Sequence, residues 1–281
     1  YISFASRRPP SARRAAADFA PCGSGFSART FAAAARQRAL AALGADGELL
    51  TRPNDILAFE YCRAIIRQES ALRPLAVLRP GDYHADEPDA EHPSATAVRR
   101  LILTGGDWRP YVPAECACEG AVPHALCWGE RAMLARLRGM EQADWARAAH
   151  GSEGLWSKVW KAVLSQPDYE SILAAAKSKR YPRTRLQRLL LCAYLGISEE
   201  SLRQTPPYVR VLAFDERGQT VLRQAKKSGG CMLVNAGQTP PDAAYYELER
   251  RAADLYTLFS RPGAPCSAGT ERGTRIYQRK P

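Results

Sequence analysis

The sequence predicts an α/β protein, and three observations carry that prediction: a helix–loop–strand run in the first hundred residues, a succession of amphipathic helical segments through the middle, and a short strand–helix–strand stretch after them. With 281 residues, 46% hydrophobic and 25% charged, the chain is long enough to bury a sizeable core and to form two domains. The expected division is an α/β part over 1–106, a mainly helical domain with a small β-α-β unit over 107–261, and a Gly- and Pro-rich loose tail over 262–281.

Each element follows from local pattern. From Ser27 to Leu43, Ser27 suits a cap, Phe31, Ala35, Ala39 and Leu43 share a face, and Gly44 stops the helix. Asn54 precedes a second helix whose stripe is Leu57, Tyr61, Ala64 and Ile65; Leu75–Leu78 then reads as a short buried strand. Pro80–Pro93 is an acidic, Pro-rich loop, and Ser94 opens a helix closed by Gly105 and Gly106. Helical patterns follow at Met133–Ala149, Leu155–Leu164 and Tyr169–Ala176. The next helix has Pro182 in its first turn, an apolar stripe of Leu186, Leu189, Leu190 and Ala193, and Gly196 just past its end. Tyr208–Phe214 alternates as a strand, Val221–Lys227 suits a helix, and Cys231–Val234 is a second strand. Thr239 precedes a last helix with Leu248, Ala252, Leu255 and Phe259 on one face.

Charge narrows the partners. Forty Lys and Arg against 29 Asp and Glu give 40 − 29 = +11 and an isoelectric point near 9.4, which favours a polyanion, nucleic acid first. The longest apolar run, Leu189–Leu195, is far short of the roughly 20 residues of a membrane helix, so no membrane partner is expected. The amino end carries Arg7, Arg8, Arg13 and Arg14 with no apolar stretch after them, unlike a secretory signal, and its opening on Tyr1 suggests a truncated start. Eight cysteines without a Cys-x-x-Cys pair argue against a disulfide scaffold, and the cytoplasm is the expected compartment. Cys116, Cys118, His124 and Cys127 lie close enough in sequence for zinc, but Cys-x-Cys is an unusual spacing for a structural site, and no metal ligand is assigned.

Three constellations suit chemistry. In Ser94-Ala-Thr96-Ala-Val-Arg99, hydroxyls begin a helix and an arginine follows one turn in; such a start either holds phosphate or is an ordinary cap. Asn54 is followed 25 residues later by Arg79, at the carboxyl end of the predicted strand, where open α/β sheets place ligands. The other reading makes Asn54 a helix cap and Arg79 a surface cation. Lys177, Lys179, Arg180, Arg183, Arg185 and Arg188 put six cations into twelve residues with no acid among them. A solvated helix face normally intersperses acids, so this run reads as a phosphate-binding surface on which Tyr181 stacks an unpaired base.

These segments, in this order, resemble the tRNA(Met) cytidine acetate ligase family of the nucleotidyltransferase superfamily. The resemblance rests on Pro53-Asn54-Asp-Ile-Leu-Ala-Phe-Glu-Tyr61, Tyr83-His84, Ser94 to Arg99, Gly151-Ser-Glu-Gly-Leu155, Lys177 to Arg188 and Tyr208 to Phe214, and spans roughly Phe26 to Phe259. It implies that the first part is a partial Rossmann-like nucleotidyltransferase domain and that the chain is a ligase. The implied chemistry uses ATP, with Mg2+, to activate acetate as acetyl-adenylate and to acetylate the N4 amine of the wobble cytidine of elongator tRNA(Met). Asn54 and Arg79 fall on family positions that contact ATP, Ser94, Thr96 and Arg99 on the second phosphate motif, and Lys177 to Arg188 in the tRNA-binding region. No residue is assigned as catalytic, and oligomeric state is not implied.

One departure matters. The family's His-x-Gly-His loop, which lines the ATP phosphates, occurs nowhere in the sequence, and Phe4-Ala5-Ser6-Arg7 stands where relatives tend to have Phe-Gly-Ser-Glu. The expectation is therefore that the chain lacks the first nucleotide-binding segment and is inactive alone. A non-catalytic RNA-binding remnant and a nucleotidyltransferase for a small metabolite stay open beside the ligase.

Overall fold

The computed structural model describes residues 2–5, 53–77, 87–89, 91, 93–116, 120–230 and 232–278. The helix expected over Ser27–Leu43, Leu78 and Arg79, and most of the Pro80–Pro93 loop lie outside these residues. The chain divides into two compact units, Tyr1–Pro113 and Ala114–Pro281, so the division falls beyond the expected Gly106.

In the first unit, β1 (Ile2–Ala5) and β2 (Pro74–Val77) pair in parallel, Ile2 opposite Pro74 and Ala5 opposite Val77. The pattern predicted β2 as a buried strand, which its half-exposed Leu75 corrects, and missed β1. Between them runs α1 (Pro53–Arg67), and its buried face corrects the predicted one. Asp55, Ala58, Phe59 and Cys62 are buried, whereas Leu57, Tyr61 and Ala64 are exposed. Glu60, Arg63 and Arg67 mark one polar flank, but the apolar arc left beside it is wider than the buried face, so the helical period alone does not choose which part of that arc is buried. The helix α2 (Ala95–Thr104) begins as predicted: Ser94 is extended, and its hydroxyl accepts from the Ala97 N–H at 3.0 Å. It ends on Gly105 in the left-handed region at φ 76°, with the Gly106 N–H returning to the Leu101 carbonyl, a pair of bonds that a residue with Cβ would strain.

The second unit is helical around one central helix. Its elements are α3 (Leu126–Arg138), α4 (Gln142–Arg147), α5 (Leu155–Ser165), α6 (Tyr169–Ala176), α7 (Arg183–Leu195) and α8 (Glu199–Arg203). The single pattern expected over Met133–Ala149 is two helices, because the chain leaves α3 at Gly139 and restarts at Glu141. Pro182 is the residue before α7 rather than inside its first turn, which the extended preference at that position suits. Leu186, Leu189, Leu190, Ala193 and Tyr194 of α7 are buried with Leu137, Trp145, Leu155, Val159, Val163, Ile172 and Leu173, and α7 packs on α3, α5, α6 and α10 (Ala243–Thr257).

After α8 the chain forms β3 (Val209–Val211), β4 (Ala213–Phe214), α9 (Glu216–Ser228) and β5 (Leu233–Asn235). The predicted single strand over Tyr208–Phe214 changes partner at Leu212: β3 pairs with β5, and β4 with β6 (Tyr277–Gln278), both in parallel. Residues 262–278 correct the expected loose tail. They contain α11 (Thr270–Gly273) and β6, and Arg210 of β3 is ion-paired to Glu271 of α11 and to Glu249 of α10, the latter at 3.1 Å. Tyr208 donates to the same Glu249; burial first, and that carboxylate second, push its phenol far above the usual range. Gly237, at φ 78°, passes so close that a Cβ would lie 2.4 Å from the Thr274 carbonyl. Among the described residues no helix is long and apolar enough to cross a membrane.

Gly129 of α3 faces the ring of Phe259, and a Cβ there would fall 2.5 Å from its Cδ1. Gly129→Ala is therefore expected to destabilise the second unit by about 1–3 kcal/mol through overpacking, despite the better helix propensity of alanine. Thermal denaturation tests this; a melting temperature equal to or above wild type contradicts the packing.

Candidate nucleic-acid interface

The basic run occupies the end of α6, a tight turn and the first half of α7. Lys177 follows α6, its N–H closing onto the Leu173 carbonyl. Ser178 and Tyr181 then exchange two backbone hydrogen bonds, 3.3 Å from the Ser178 N–H and 3.1 Å from the Tyr181 N–H. Lys179 and Arg180 are thereby fixed at the tip of a reciprocal four-residue turn, both exposed. Fixing the turn beforehand removes part of the ordering cost that a flexible basic loop carries on binding.

The six cations divide into two classes. Arg185 is buried, 8% exposed in its side chain, and every part of its fork is engaged. Its Nε donates to the His150 carbonyl at 3.4 Å, Nη2 to the Ser152 carbonyl at 3.0 Å and hydroxyl at 3.2 Å, and Nη1 to Glu153 Oε2 at 3.3 Å. This corrects the reading of Arg185 as a phosphate contact: a guanidinium already bound to two carbonyls, a hydroxyl and a carboxylate has no face left for a ligand. Tyr181 is corrected likewise. Its ring is buried under the Arg185 guanidinium, 5.1 Å from the centroid, and its hydroxyl donates to the Glu153 carbonyl at 2.8 Å, so it is not available to stack on a base.

What these two side chains hold is the turn between α4 and α5, the Gly151-Ser-Glu-Gly-Leu155 segment. His150 and Glu153 both sit at positive φ, 66° and 63°, where non-glycine residues are strained, and Gly154 follows at 77°. Gly151 has no room for a side chain: a Cβ would lie 3.0 Å from the Ala148 carbonyl and from Trp156 Cβ. Glu153 also reaches Arg180 at 3.4 Å, linking the buried clamp to the exposed tip. Glu153 was not singled out by sequence; the acid that partners the run lies some thirty residues upstream of it, and no local pattern shows that.

Lys177, Lys179, Arg180, Arg183 and Arg188 remain at the surface. Arg183 is paired with Glu170 at 2.6 Å, and the guanidinium holds that carboxyl below the usual range. Both groups are solvated, so the pair is weak and exchangeable for a phosphate. Arg188 lies five residues along α7 from Arg183, roughly 140° round the helix, so the positive surface is centred on the 178–181 turn rather than on one helix face.

In the first unit, Asn54 stands in the first turn of α1, and the side chain of Asp55 beside it is buried. Ser94 is buried and used as a cap, while Thr96 and Arg99 are exposed on the first turns of α2. A phosphate set against that end would meet the positive pole of the helix and Arg99. Of the zinc candidates, Cys118 lies outside the described residues. His124 stacks on Tyr256 at 4.1 Å with its Nδ1 2.8 Å from the Val122 carbonyl, and no group of three metal-binding side chains gathers among the described residues.

Comparison with known proteins gives the chain its relatives. The profile of HIGH nucleotidyl transferases matches residues 23–269. Proteins named tRNA(Met) cytidine acetate ligase are similar in sequence: that of Kosmotoga olearia is 30% identical over 260 residues, covering 81% of this chain and 61% of the relative, and that of Limosilactobacillus reuteri is 31% identical over 224 residues, covering 76% and 58%. The chain thus spans about three-fifths of the length of these relatives. Thermotoga maritima TmcAL has the same fold, with a TM-score of 0.77 in its apo crystal structure and 0.76 in the one bound with alpha-thio ATP, at 20% and 21% identity. Each comparison covers 99% of this chain and 76% of the other.

The two classes of arginine separate experimentally. Arg185→Ala leaves strained Glu153 without its buried partner and is expected to cost about 2–4 kcal/mol of stability, whereas Arg183→Ala removes only a solvated pair and is expected to leave stability close to wild type. Urea denaturation of the two variants checks this, and equal midpoints would remove Arg185 from the clamp.

Proposed function

The chain belongs to the HIGH nucleotidyl transferase family, and from that premise we propose that it takes part in ATP-dependent acetylation of the N4 amine of the wobble cytidine in elongator tRNA(Met). The relatives' shared name supports the reaction. The single structural observation behind it is the 178–181 turn, which holds Lys179 and Arg180 in the open on a frame built from Arg185, Tyr181 and Glu153. Lys177, Lys179, Arg180, Arg183 and Arg188 bind RNA phosphates; Arg185 acts by holding their support.

The nucleotide is the substrate of the first unit. Its triphosphate is held by the start of α2, where the first-turn N–H groups, Thr96 and Arg99 offset negative charge, together with Asn54 and Arg79; a magnesium ion, if bound with the nucleotide, would offset the charge that remains. A buried, capped Ser94 fits this role because it fixes the first turn and leaves the exposed positions to the phosphate. In the reaction a carboxylate oxygen of acetate attacks the α-phosphorus and pyrophosphate leaves. The cytidine amine then attacks the acyl carbon, AMP leaves with the carboxylate oxygen, and the amine loses a proton. Acetate needs this activation because its own oxygen is a poor leaving group.

The full gene product containing this chain, incubated with ATP, acetate and tRNA(Met), is expected to yield N4-acetylcytidine on nucleoside mass spectrometry; no acetylated nucleoside overturns the proposal. Lys179→Glu with Arg180→Glu is expected to lower turnover on tRNA at least tenfold, since two phosphate contacts become repulsions. Unchanged turnover favours a transferase for a small metabolite.

A further inference from the structure

A second cationic surface, far along the chain from the 178–181 turn, surrounds a cleft of about 700 Å³ between α9 and the β3–β5 pair. Its walls are Gln219, Leu222, Arg223 and Lys226 of α9, with Gly229, and Val211, Met232, Leu233, Asn235 and Gln238 on the strand side. The volume is that of a small-ligand site. The helix over it is laid loosely: α9 has no buried residue, Val221 is 62% exposed and Met232 48% exposed.

The chemistry of the lining is specific. Arg223 and Lys226 have no ion pair among the described residues, and no carboxylate lines the cleft. The nearest acids in sequence, Asp215 and Glu216, are at the other end of α9, where Asp215 is spent capping the helix through the Gly218 N–H at 2.7 Å. Three amides face the same space. Gln238 is partly committed, accepting from the Asn235 N–H at 3.2 Å, while Gln219 and Asn235 each offer a donor and an acceptor side by side. An apolar floor of Leu222, Leu233 and Val211, two unpaired cations and adjacent amide edges match a nucleotide: a base laid on the floor, its polar edge toward the amides, its phosphate toward Arg223 and Lys226. A purely electrostatic surface has no use for the amides, and a peptide groove would more often carry aromatic walls.

We infer that the α9 cleft is a second RNA site, taking an unpaired nucleotide of the RNA whose backbone the 178–181 turn holds. The inference rests on the RNA-binding reading above. Two separated contacts restrict how one RNA lies on the second unit, because the second engagement is intramolecular once the first is made.

The test measures binding of the complete chain to an anticodon stem-loop RNA by fluorescence anisotropy over a range of salt. Arg223→Gln with Lys226→Gln is expected to lower affinity roughly tenfold near 100 mM salt and to reduce the slope of log affinity against log salt by about 1.5. Gln219→Ala is expected to weaken binding threefold or more with the slope unchanged, since no charge is removed. Arg217→Gln, also on α9 but outside the cleft, is the control and leaves binding within twofold. If the Arg223, Lys226 double variant binds as wild type while Lys179→Glu with Arg180→Glu weakens binding, the cleft is not a site and the RNA reading stands. If Arg217→Gln weakens binding as much as the double variant, general charge replaces a built site and the inference fails. If wild type binds no RNA, the reading beneath the inference fails as well.

Discussion

The second unit is organised by one buried guanidinium. Arg185 is the point at which three pieces of chain meet: α7, to which it belongs, the strained turn over 150–154, and the 178–181 turn that Tyr181 anchors beneath it. Burial of a full positive charge is costly unless each donor finds an oxygen, and here each nitrogen does. That requirement explains the odd backbone nearby. His150 and Glu153 take left-handed conformations that cost of order 1–3 kcal/mol each because only then do the carbonyls of 150 and 152 and the carboxylate of 153 converge on one fork.

The same arrangement separates buried charge, which supports the turn, from exposed charge. Twelve residues with six cations look uniform in sequence, yet the fold turns one arginine inward and leaves five cations in solvent. Glu153 then sits between the classes, touching buried Arg185 and exposed Arg180. An acid in that position lowers the net positive charge and offsets the repulsion between Arg180 and Arg185. Glu170 pairs with Arg183 in solvent, a weak contact that another anion can displace at little cost, since both partners are solvated.

Much of the architecture was legible in the sequence, and the reasons are local. Ser94, Gly105 and Gly196 announced helix ends because capping is decided within four residues. The α7 stripe of Leu186, Leu189, Leu190 and Ala193 was legible because polar residues interrupt it on the other side. The buried face of α1 is not legible because its polar flank, Glu60, Arg63 and Arg67, leaves an apolar arc wider than the face that is buried, and the order in residues 262–278 is not legible because their anchors, Arg210 and Asp254, lie outside that segment. The division of the basic run into buried and exposed residues was only partly legible for the same reason. Exposed cations need no partner and could be read directly, whereas the burial of Arg185 and Tyr181 is set by the 150–154 turn, whose positive φ values no composition reveals.

The contrast between the 178–181 turn and α9 bears on how a basic protein distinguishes RNA from any other polyanion. On the proposed reading, a tip carrying Lys179 and Arg180 contacts phosphate alone, so its affinity is expected to fall steeply with salt whatever the sequence bound. Discrimination has to come from groups that read base edges, and in a helical unit such groups are scarce, because helix surfaces outside the core here carry mainly charge. The β3–α9–β5 unit supplies what the bundle lacks: parallel strands whose ends leave amides beside an apolar floor. Its tie to the bundle through Arg210, Glu249 and Glu271 fixes those amides relative to α10, and α10 packs on α7, which carries the basic turn at its start. On the proposed reading, this chain of packing connects the phosphate-contacting turn with the base-reading cleft inside one unit.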